Sequence, residues 1–520
     1  MEEQKLPLLG HHRRTHRGSS AFIIWACLFI GLMVAGTFLL RPGRKFDVPA
    51  DSRNVIKHLT KLEQIAASHG NGSRSITRGF NASFDYVEGF LKNLTDYTVW
   101  AESLTVQDQV DYDVPSLSLD SLSLTPNADF MTGTGSGSGA VSNLPLVYVG
   151  GCNSAVDTTS QSAPFVALLT QTPPSIDASR PNATNACDLS LCGRIAYAVA
   201  NLGASAVLVA KQPSAQGYPQ PLAPSGRLPK CNPDQASIVA SVPVFMLSQA
   251  ASWEFVVRAI DKNVVHKVSL SAHTRYESIV VKNLLAETKA GDASKIVIYG
   301  SHLDSVRAGP GVNDDGSGAM ATLELAHAFS RSGLARKTVQ KVRFAWWTAE
   351  EIGLLGSIHH VQSLTDAAAA AYKLNVDTDM IASPNFVRGV WDGRSVEDDR
   401  IRDRCAAIQG VFEGYFARRG LPTVPFRFNG RSDFAPFMSR GIPAGGVITG
   451  EDEIKTLEEA ELFGGIANMV LDPNYHQPSD TVANLRGPGE LILGQNVDAL
   501  AHSLGFFAFH HDIDGFLAGK

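Results

Sequence analysis

The sequence predicts an α/β sandwich built on a largely parallel sheet, with a smaller β-rich module placed before it. From Val264 onward, strand-like apolar runs alternate with helical ones, which is the pattern of a sheet covered by helices. Between Leu144 and Met246, short β-branched runs follow one another closely, as in a compact β module. In the α/β part we predict strands at 264–270, 278–286, 295–299, 341–347, 373–377 and 445–448, and helices at 319–330 and 497–509.

The residues before the α/β part divide into ordered and loop-like stretches. Apolar residues recur at helical spacing in 55–67 and 84–94, and residues 98–106 alternate as a strand does. Residues 107–143 are rich in Ser, Thr, Gly and Asp, and within them 131–139 is predicted to be a flexible linker or exposed loop. The β module is predicted to contain strands at 144–150, 194–200, 204–210 and 242–246.

The composition is that of an ordinary globular protein. With 520 residues, 44% of them hydrophobic and 18% charged, the chain has material for two or three domains. The formal net charge is −6, and no basic stripe stands out in the long C-terminal part. Both observations argue against nucleic acid as a partner.

An apolar segment near the N-terminus predicts a membrane anchor. Residues 21–40 contain no charge and are long enough to cross a bilayer core. Basic residues flank the run on both sides, so the positive charges leave its orientation open. A cleaved signal peptide is the alternative, but its apolar core is usually shorter. We therefore expect an uncleaved signal-anchor, with a cytoplasmic tail at 1–20 and a span at 21–40.

Glycosylation sequons and cysteines place the body of the protein in the secretory pathway. Four sequons follow the apolar run, at Asn71, Asn81, Asn93 and Asn182. Four of the six cysteines lie in one 80-residue window, at Cys152, Cys187, Cys192 and Cys231. This pattern is typical of disulfides in an oxidising compartment, with buried free thiols as the alternative, and Cys405 would remain unpaired. We expect a lumenal or extracellular body, in a vacuole, at the cell surface or secreted after processing.

Histidines and acids follow the predicted strands. His302 comes after the strand at 295–299, and Glu350 comes after the strand at 341–347. In open α/β sheets, active sites lie at the carboxyl ends of the strands. Imidazole nitrogen and carboxylate oxygen are ligands of zinc, and two neighbouring zinc ions need a shared carboxylate. The adjacent acids Glu350 and Glu351 could divide the work, one facing a metal and the other serving as general base.

Six segments, taken in order, resemble the motifs of the M28 zinc aminopeptidase family. They are Ser301-His302-Leu-Asp304-Ser, Gly311-Val-Asn-Asp314-Asp-Gly-Ser-Gly, Trp347-Thr-Ala-Glu350-Glu351-Ile-Gly-Leu-Leu-Gly-Ser357, Asp379-Met-Ile-Ala-Ser-Pro-Asn385, Arg431-Ser-Asp433-Phe-Ala-Pro-Phe437 and Asp472-Pro-Asn-Tyr475-His476-Gln-Pro-Ser-Asp-Thr481. The resemblance covers about 55–94 and 264–509, and the intervening module is similar to a protease-associated domain. It implies a three-layer αβα sandwich with a mostly parallel mixed sheet, divided as 46–125 (first part of the peptidase domain), 126–262 (protease-associated domain) and 263–515 (catalytic domain).

The resemblance also implies a site for two zinc ions per chain. Asp314 would bridge the two ions. His302 and Asp379 would complete the ligands of one ion, and Glu351 and His476 those of the other.

Three further residues would take part in catalysis. Glu350 would be the general base that takes a proton from the bridging water and later passes it to the leaving amine. Asp304 would bond His302 and fix its tautomer, and Tyr475 would stabilise the oxyanion.

Some assignments leave alternatives open. Arg431 and Asp433 are expected to contact substrate, but they could instead form a structural ion pair. Tyr475 could serve packing alone. Asp315 and Asp377 lie close to the expected ligands and are interpreted as structural. Family members often carry a cysteine pair around the final Tyr-His, and here Asn474 and Ser479 stand in those places, so a disulfide brace is missing.

The function that follows is an exopeptidase acting on peptides with a free N-terminus. A glutaminyl cyclase-like relative with one zinc ion is an alternative. A carboxypeptidase would need a basic pocket, and no arginine cluster stands near the motifs beyond Arg427 and Arg431. A non-catalytic receptor or scaffold on the same fold is the third alternative, which the intact ligand set argues against.

Overall fold

The computed structural model describes residues 47–149, 164–171, 190–212, 218, 222–224, 228, 231–260 and 264–520. The chain divides into two compact units, 1–46 and 47–520, and every described residue belongs to the second. The expected tail and anchor, Asn182, Cys152 and Cys187 lie outside the described residues. Among the helices that are described, none is long and apolar enough to cross a bilayer.

The described strands are β1 Tyr97–Asp111, β2 Ser116–Leu119, β3 Leu122–Ser123, β4 Phe130–Thr132, β5 Gly139–Tyr148, β6 Phe165–Thr170, β7 Ala204–Ala210, β8 Val244–Leu247, β9 Lys267–Ala272, β10 Thr274–Thr288, β11 Asp292–His302, β12 Gln340–Trp347, β13 Tyr372–Thr378, β14 Gly389–Trp391, β15 Val424–Phe426 and β16 Ala444–Ile448. The α-helices are α1 Ser52–His69, α2 Phe80–Lys92, α3 Leu191–Ala200, α4 Pro233–Val239, α5 Gln249–Ile260, α6 Gly316–Arg331, α7 Leu355–Ser363, α8 Asp366–Ala371, α9 Arg402–Ala417, α10 Phe434–Ser439, α11 Leu457–Phe463, α12 Val482–Leu485, α13 Pro488–Phe509 and α14 Ile513–Leu517. Two short 3₁₀ helices lie at Leu334–Arg336 and Gly393–Ser395.

The main sheet has eight strands in the order β1-β10-β12-β11-β13-β16-β14-β15. Strands β12, β11, β13 and β16 run parallel at its centre, and antiparallel pairs lie on either side of them. The order of β11, β12, β13 and β16 requires crossover connections, which the helices between these strands supply.

Helices cover both faces of the main sheet. On one face, Trp346 Nε1 donates to the Ala319 carbonyl of α6 at 2.9 Å, and the hydroxyls of Tyr299 and Ser503 of α13 are 2.9 Å apart. On the other face, residues of α7 and the C-terminal part of α10 form a core cluster with alternate residues of β11 and β12. These layers confirm the predicted three-layer αβα sandwich with a mixed, mostly parallel sheet.

A second sheet of eight strands is formed within residues 116–272. Its order is β3-β2-β9-β5-β6-β7-β8-β4. Two core clusters cover its two faces, one containing residues of α5 and the other residues of α3 and the end of α4. The long strands β1 and β10 pair antiparallel from Tyr97 with Thr288 to Asp111 with Thr274, and we call this pair the stem. In the sequence, the strands of the second sheet come between β1 and β10, the two strands of the stem.

Two sequence predictions within the second sheet were wrong. The apolar run at 194–200 is part of helix α3, because a short run of buried residues fits either element and Ser190 caps a helix, accepting the N–H of Gly193 at 3.0 Å. The stretch 131–139 is not an exposed linker: it contains the end of β4, and Met131 is 3% exposed.

Other predicted features are present. Cys192 and Cys231 form a disulfide, and Cys405 is a buried free thiol. The sequon asparagines Asn71, Asn81 and Asn93 are exposed. The strand predicted at 264–270 for the α/β part is wrong in its sheet, because β9 pairs with β2 and β5 of the second sheet. The helix predicted at 497–509 begins earlier, at Pro488, and the remaining strands and helices occur near their predicted positions with shifted ends.

Candidate metal centre

Three of the expected site residues lie beyond the carboxyl ends of neighbouring parallel strands. His302 is the last residue of β11, Asp379 directly follows β13, and Glu350 lies shortly after β12. Because β11 pairs in parallel with both β12 and β13, these three ends meet at one edge of the sheet.

The carboxylate of Asp314 lies between the two histidines. Its Oδ1 is 3.2 Å from His302 Nε2, and its Oδ2 is 3.1 Å from His476 Nε2. Glu351 Oε2 is 3.2 Å from the same nitrogen of His476, and Asp379 Oδ1 is 3.7 Å from the nitrogen of His302. The five side chains therefore form two groups that share one carboxylate.

The donor atoms of these groups suit a metal ion. Within the described part of the chain, His302 Nε2, Asp314 Oδ2 and Asp379 Oδ1 are buried and make no hydrogen bond. Buried polar atoms in proteins normally have a partner. Imidazole nitrogens and carboxylate oxygens that converge in this way are the donor set of Zn²⁺.

The acids and histidines of the cluster shift one another's pKa values. Burial lowers the pKa of both histidines, but the surrounding carboxylates outweigh it. They raise the pKa of His302 well above its usual value and that of His476 to about 10. Burial raises the pKa of Asp314, and the two histidines more than reverse this effect. Cation binding at this cluster therefore displaces protons from the histidines.

Glu350 is the acid of the cluster best suited to proton transfer. Its Oε2 lies 3.8 Å from His302 Nε2. Burial raises the pKa of Glu350 well above its usual value, and the neighbouring acid Glu351 adds to the effect. A raised pKa favours uptake of a proton by a carboxyl group, which is the property that a general base needs.

Asp304 holds the turn that carries both glutamates. Its carboxylate accepts the N–H of Glu350 at 3.2 Å and the N–H of Glu351 at 3.3 Å. The residue contacts His302 Nδ1 through its main-chain carbonyl oxygen at 3.1 Å, whereas its carboxylate oxygen is 3.9 Å away. The contact expected from the sequence is therefore made by a different atom, because the carboxylate is engaged by the two amides.

Asp315 and Asp377, the two acids close in sequence to the ligand candidates, occupy separate positions in the structure. Asp315 begins helix α6, and its Oδ1 accepts the N–H of Gly318 at 2.9 Å and of Met380 at 3.3 Å. Its carboxylate also lies within 4.8 Å of atoms of the first ligand group. We favour the structural role because two amides already occupy that oxygen. Asp377 is buried within β13, and burial raises its pKa well above the usual value.

A cleft of about 220 Å³ opens over the ligand cluster, and we call it the acidic cleft. Arg431 lines it, with Nη2 2.8 Å from Glu451 and Nη1 2.9 Å from Asp452. Arg431 also donates to the hydroxyl of Tyr475 at 3.0 Å, and the ring of Tyr475 stacks on that of His476 with centroids 3.8 Å apart. Tyr475 is thus held beside a metal-ligand candidate by both a hydrogen bond and a ring contact.

Asp433 lies apart from Arg431. It is 1% exposed and accepts a hydrogen bond from the hydroxyl of Ser357. Burial raises its pKa to about 7. The alternative ion pair between Arg431 and Asp433 is not formed among the described residues.

Hydrogen bonds brace the loop that lacks the disulfide. Asp472 accepts the N–H of Asn474 at 2.7 Å and a side-chain N–H of Asn313 at 2.6 Å. Asp480 accepts the N–H groups of Asn313 and Asp314 at 2.7 and 3.0 Å. The loop is therefore joined directly to the main chain of Asp314, the residue that carries the shared carboxylate.

Two residues of the site lie outside the sequence motifs. Arg74 is fully buried and donates to the carbonyls of Leu303, of Pro310 at 2.7 Å and of Gly311 at 2.5 Å. Nothing in its local sequence marks this role. Glu451 lines the acidic cleft, and burial raises its pKa to about 8. The run of acids at 451–453 was the one available signal for it.

Comparison with known proteins agrees with this geometry. Residues 283–500 match the sequence model of peptidase family M28. Leucine aminopeptidase 2 of Trichophyton equinum is 43% identical over 242 residues, which are 46% of this chain and 48% of that protein. Probable leucine aminopeptidase 2 of Aspergillus fumigatus is 44% identical over 220 residues, 42% of this chain and 43% of that protein. The matches thus span about half the length of these relatives.

Solved structures share the fold over most of the chain. A zinc aminopeptidase from Bacillus subtilis superposes with a TM-score of 0.61 at 19% identity, covering 88% of this chain and 95% of that one. An aminopeptidase from Aneurinibacillus sp. strain AM-1 superposes with a TM-score of 0.53 at 22% identity, covering 88% and 94%. The match to peptidase family M28 therefore covers residues 283–500, and the fold is shared with these aminopeptidase structures over most of the chain.

Proposed function

We propose that this protein is a zinc-dependent aminopeptidase that removes N-terminal residues from peptides and holds two zinc ions. The observation that carries the proposal is the carboxylate of Asp314, whose two oxygens reach the ligand nitrogens of His302 and His476 separately. The leucine aminopeptidases that resemble half of this chain support the reaction class.

Five residues would hold the ions: His302, Asp314, Glu351, Asp379 and His476. Zinc, when bound, would act as a Lewis acid on the scissile carbonyl and would lower the pKa of the attacking water, which makes that water a better nucleophile. The unpartnered buried donor atoms described above support this assignment.

The remaining residues have the chemistry that the reaction needs. Glu350, with its raised pKa, accepts a proton from the attacking water and returns it to the leaving amine. Tyr475, fixed by Arg431, offers a hydroxyl to the developing oxyanion. Acids of the acidic cleft, among them Asp379, attract the free α-ammonium group of the substrate and so favour cleavage at the N-terminus.

The alternatives have less support. A carboxypeptidase needs a cation for the terminal carboxylate, but Arg431 is already paired with Glu451 and Asp452. Arg427 lines a different cleft. A one-zinc cyclase would leave one of the two ligand groups without use.

The proposal is tested by replacing the general base. In the full-length chain with zinc, Glu350→Gln should lower kcat for leucine-amide substrates about 10²–10⁴-fold while the zinc content is unchanged, because the residue moves protons and binds no metal. The matched control is Glu458→Gln, an exposed glutamate on α11, which should keep wild-type kcat. Full activity in Glu350→Gln, or absence of zinc from the wild type, contradicts the proposal.

We also propose that residues 21–40 anchor the protein in a membrane, with the peptidase in the lumen or outside the cell and 126–262 forming a protease-associated domain. The exposed sequon asparagines and the disulfide support this topology. Endoglycosidase treatment of the protein from its own cells should increase its gel mobility, and carbonate extraction should leave it with the membranes. Unshifted protein in the soluble fraction would contradict the topology.

A further inference from the structure

A second cleft meets the acidic cleft at the ligand cluster. It has a volume of about 390 Å³, and we call it the apolar cleft. Three residues line both clefts: Glu351, Gly353 and His476. The two clefts therefore adjoin at the ligand candidates, where the scissile bond of a peptide would lie.

The wall of the apolar cleft comes from both sheets. Its hydrocarbon lining consists of Ile76, Met131, Leu228, Val306, Ala308 and Ile352. Met131 lies in β4 of the second sheet, and Leu228 precedes α4 in the same module. The apolar cleft is therefore completed only where the module meets the peptidase sheet.

Apart from the ligand candidates Glu351 and His476, the charged groups of this cleft are engaged elsewhere. The carboxylate of Asp304 accepts the amides of the glutamate turn, and Asp108 accepts the N–H of Gln109 at 2.8 Å. Arg307 is ion-paired with Asp111 of β1. An entering group therefore meets mainly hydrocarbon between the ligands and the module.

The module is also tied to the loop of the second histidine. The N–H of Ala223 donates to Gln477 Oε1 at 2.6 Å, and Gln477 Nε2 donates to the carbonyl of Tyr475 at 3.2 Å. Gln477 directly follows the metal-ligand candidate His476. A hydrogen bond thus joins the module directly to the loop that carries His476.

We propose that the apolar cleft binds the side chain of the second residue of the peptide substrate, the residue on the leaving side of the scissile bond, and selects for large apolar side chains. The inference rests on the proposed aminopeptidase function. The α-ammonium group requires carboxylates, so the N-terminal residue occupies the acidic cleft. The residue after the scissile bond then extends into the adjoining apolar cleft, which shares Glu351, Gly353 and His476 with the acidic cleft.

The wild-type protein gives the first test. With zinc, the full-length chain should cleave Leu-Leu and Leu-Phe with a kcat/KM at least about 10-fold above those for Leu-Gly and Leu-Asp, since each buried methylene contributes to discrimination. Leucinamide, which has no second side chain, measures the activity that does not depend on the apolar cleft. Hydrolysis of leucinamide with equal kcat/KM for all four dipeptides overturns the inference and leaves the proposed function standing. If the protein hydrolyses none of these substrates, the proposed function itself is refuted, and the inference with it.

Charge placed on the module gives the second test. Leu228→Glu should raise the ratio of kcat/KM for Leu-Lys to that for Leu-Leu about 10-fold, and Leu228→Lys should raise the ratio of Leu-Asp to Leu-Leu instead. The matched control is Val265→Glu, a residue 67% exposed that lines neither cleft, which should keep the wild-type ratios. Melting temperatures check that each variant is folded. Ratios in the folded Leu228 variants that equal those of the control overturn the inference.

Discussion

Arg74 makes its hydrogen bonds with a turn of chain that follows it by 229 to 237 residues. Its guanidinium donates hydrogen bonds to three buried carbonyls that lie between His302 and Asp314 in the chain. At Gly311 the backbone has a φ of +62°, and a Cβ there would lie 2.2 Å from the carbonyl oxygen of Asp314, so the turn requires glycine as well as the arginine. The geometry of the first ligand group therefore depends on a residue from the N-terminal part of the described chain.

Replacing Arg74 tests this dependence. Arg74→Met leaves three buried carbonyls without donors, and we expect a loss of at least about 3 kcal/mol in the free energy of unfolding. Zinc affinity should also fall, about 10- to 100-fold, as for other supports of metal ligands. Urea denaturation and zinc competition titrations measure both. Arg53→Met, at an arginine whose side chain is 85% exposed, should change neither; an equal effect there would contradict the role given to Arg74.

His58 gives a prediction about acid stability. Its ring contacts the Tyr86 hydroxyl at 2.6 Å and the ring of Phe90 edge-on, and it faces His327 of α6 across that ring. Burial lowers the pKa of His58 to about 4, with the nearby positive charge of His327 and Lys57 adding to the effect. In the unfolded chain the pKa is about 6.5, so acidification protonates the unfolded state first.

The contribution of His58 to stability is therefore complete above pH 6.5 and is lost as the pH falls towards 4. His58→Gln should show a smaller decrease in unfolding free energy between pH 7 and pH 4.5 than the wild type. Tyr86→Phe removes the hydrogen bond but keeps the burial, so its pH dependence should stay that of the wild type. Identical pH dependence in His58→Gln and the wild type would refute the prediction.

At the scale of the residue, sequence patterns predicted the metal-ligand candidates but not their supports. His302, Asp314 and His476 stand in motifs whose spacing is local, so their residue types could be recognised. Arg74 and Asp480 act through main-chain groups that are remote in sequence, and nothing in an arginine or aspartate by itself shows which backbone it will reach.

At the scale of the element, strand ends were predictable and one helix was not. Apolar runs flanked by polar turns marked β11, β12 and β13, and the rule for parallel sheets then placed the acids at one edge. Helix α3 was predicted as a strand because its residues are buried on nearly every side, which removes the periodicity that distinguishes the two elements.

The disulfide gives a prediction for the module. Cys192 lies in α3 and Cys231 just before α4, with a sequence separation of 39. Replacing either cysteine by serine should lower the free energy of unfolding by about 2–4 kcal/mol, because the cross-link restricts the unfolded chain. The double variant should lose no more than a single one, since either change removes the same bond. Additive losses, measured by denaturation, would show that the two cysteines act independently.

At the scale of the whole molecule, the cluster of acids makes folding and metal binding interdependent. Ions that bind only the folded chain stabilise it by an amount that grows with the logarithm of their concentration, about 4 kcal/mol at a concentration 1,000 times the Kd. Chelation should therefore lower the melting temperature, and zinc should restore it. Glu351→Gln, which removes a ligand of the second group, should reduce this difference. Equal melting temperatures with and without chelator would contradict the metal assignment.

The class of the fold followed from the alternation of strands and helices, because each element reports its periodicity locally. The contact between the module and the site could not be predicted in this way. It depends on single contacts such as that between Ala223 and Gln477, which join segments that have no shared pattern. The lining of the apolar cleft could not be predicted either, because Met131 lies in a stretch whose glycines and serines predicted a loop.

The stem has a consequence for how the chain is made. On a ribosome, β1 emerges long before its partner β10, and joining them directly would mean closing a loop that contains the whole module. Pairing of β2 with β9, from Ser116 with Ser271, brings the two ends of that loop together first. The open loop is then only a few residues, which reduces the entropy cost of joining the strands by about 3 kcal/mol. Formation of the second sheet before β1 and β10 pair would thus lower the entropy cost of completing the main sheet, and slow folding of the module would delay that step.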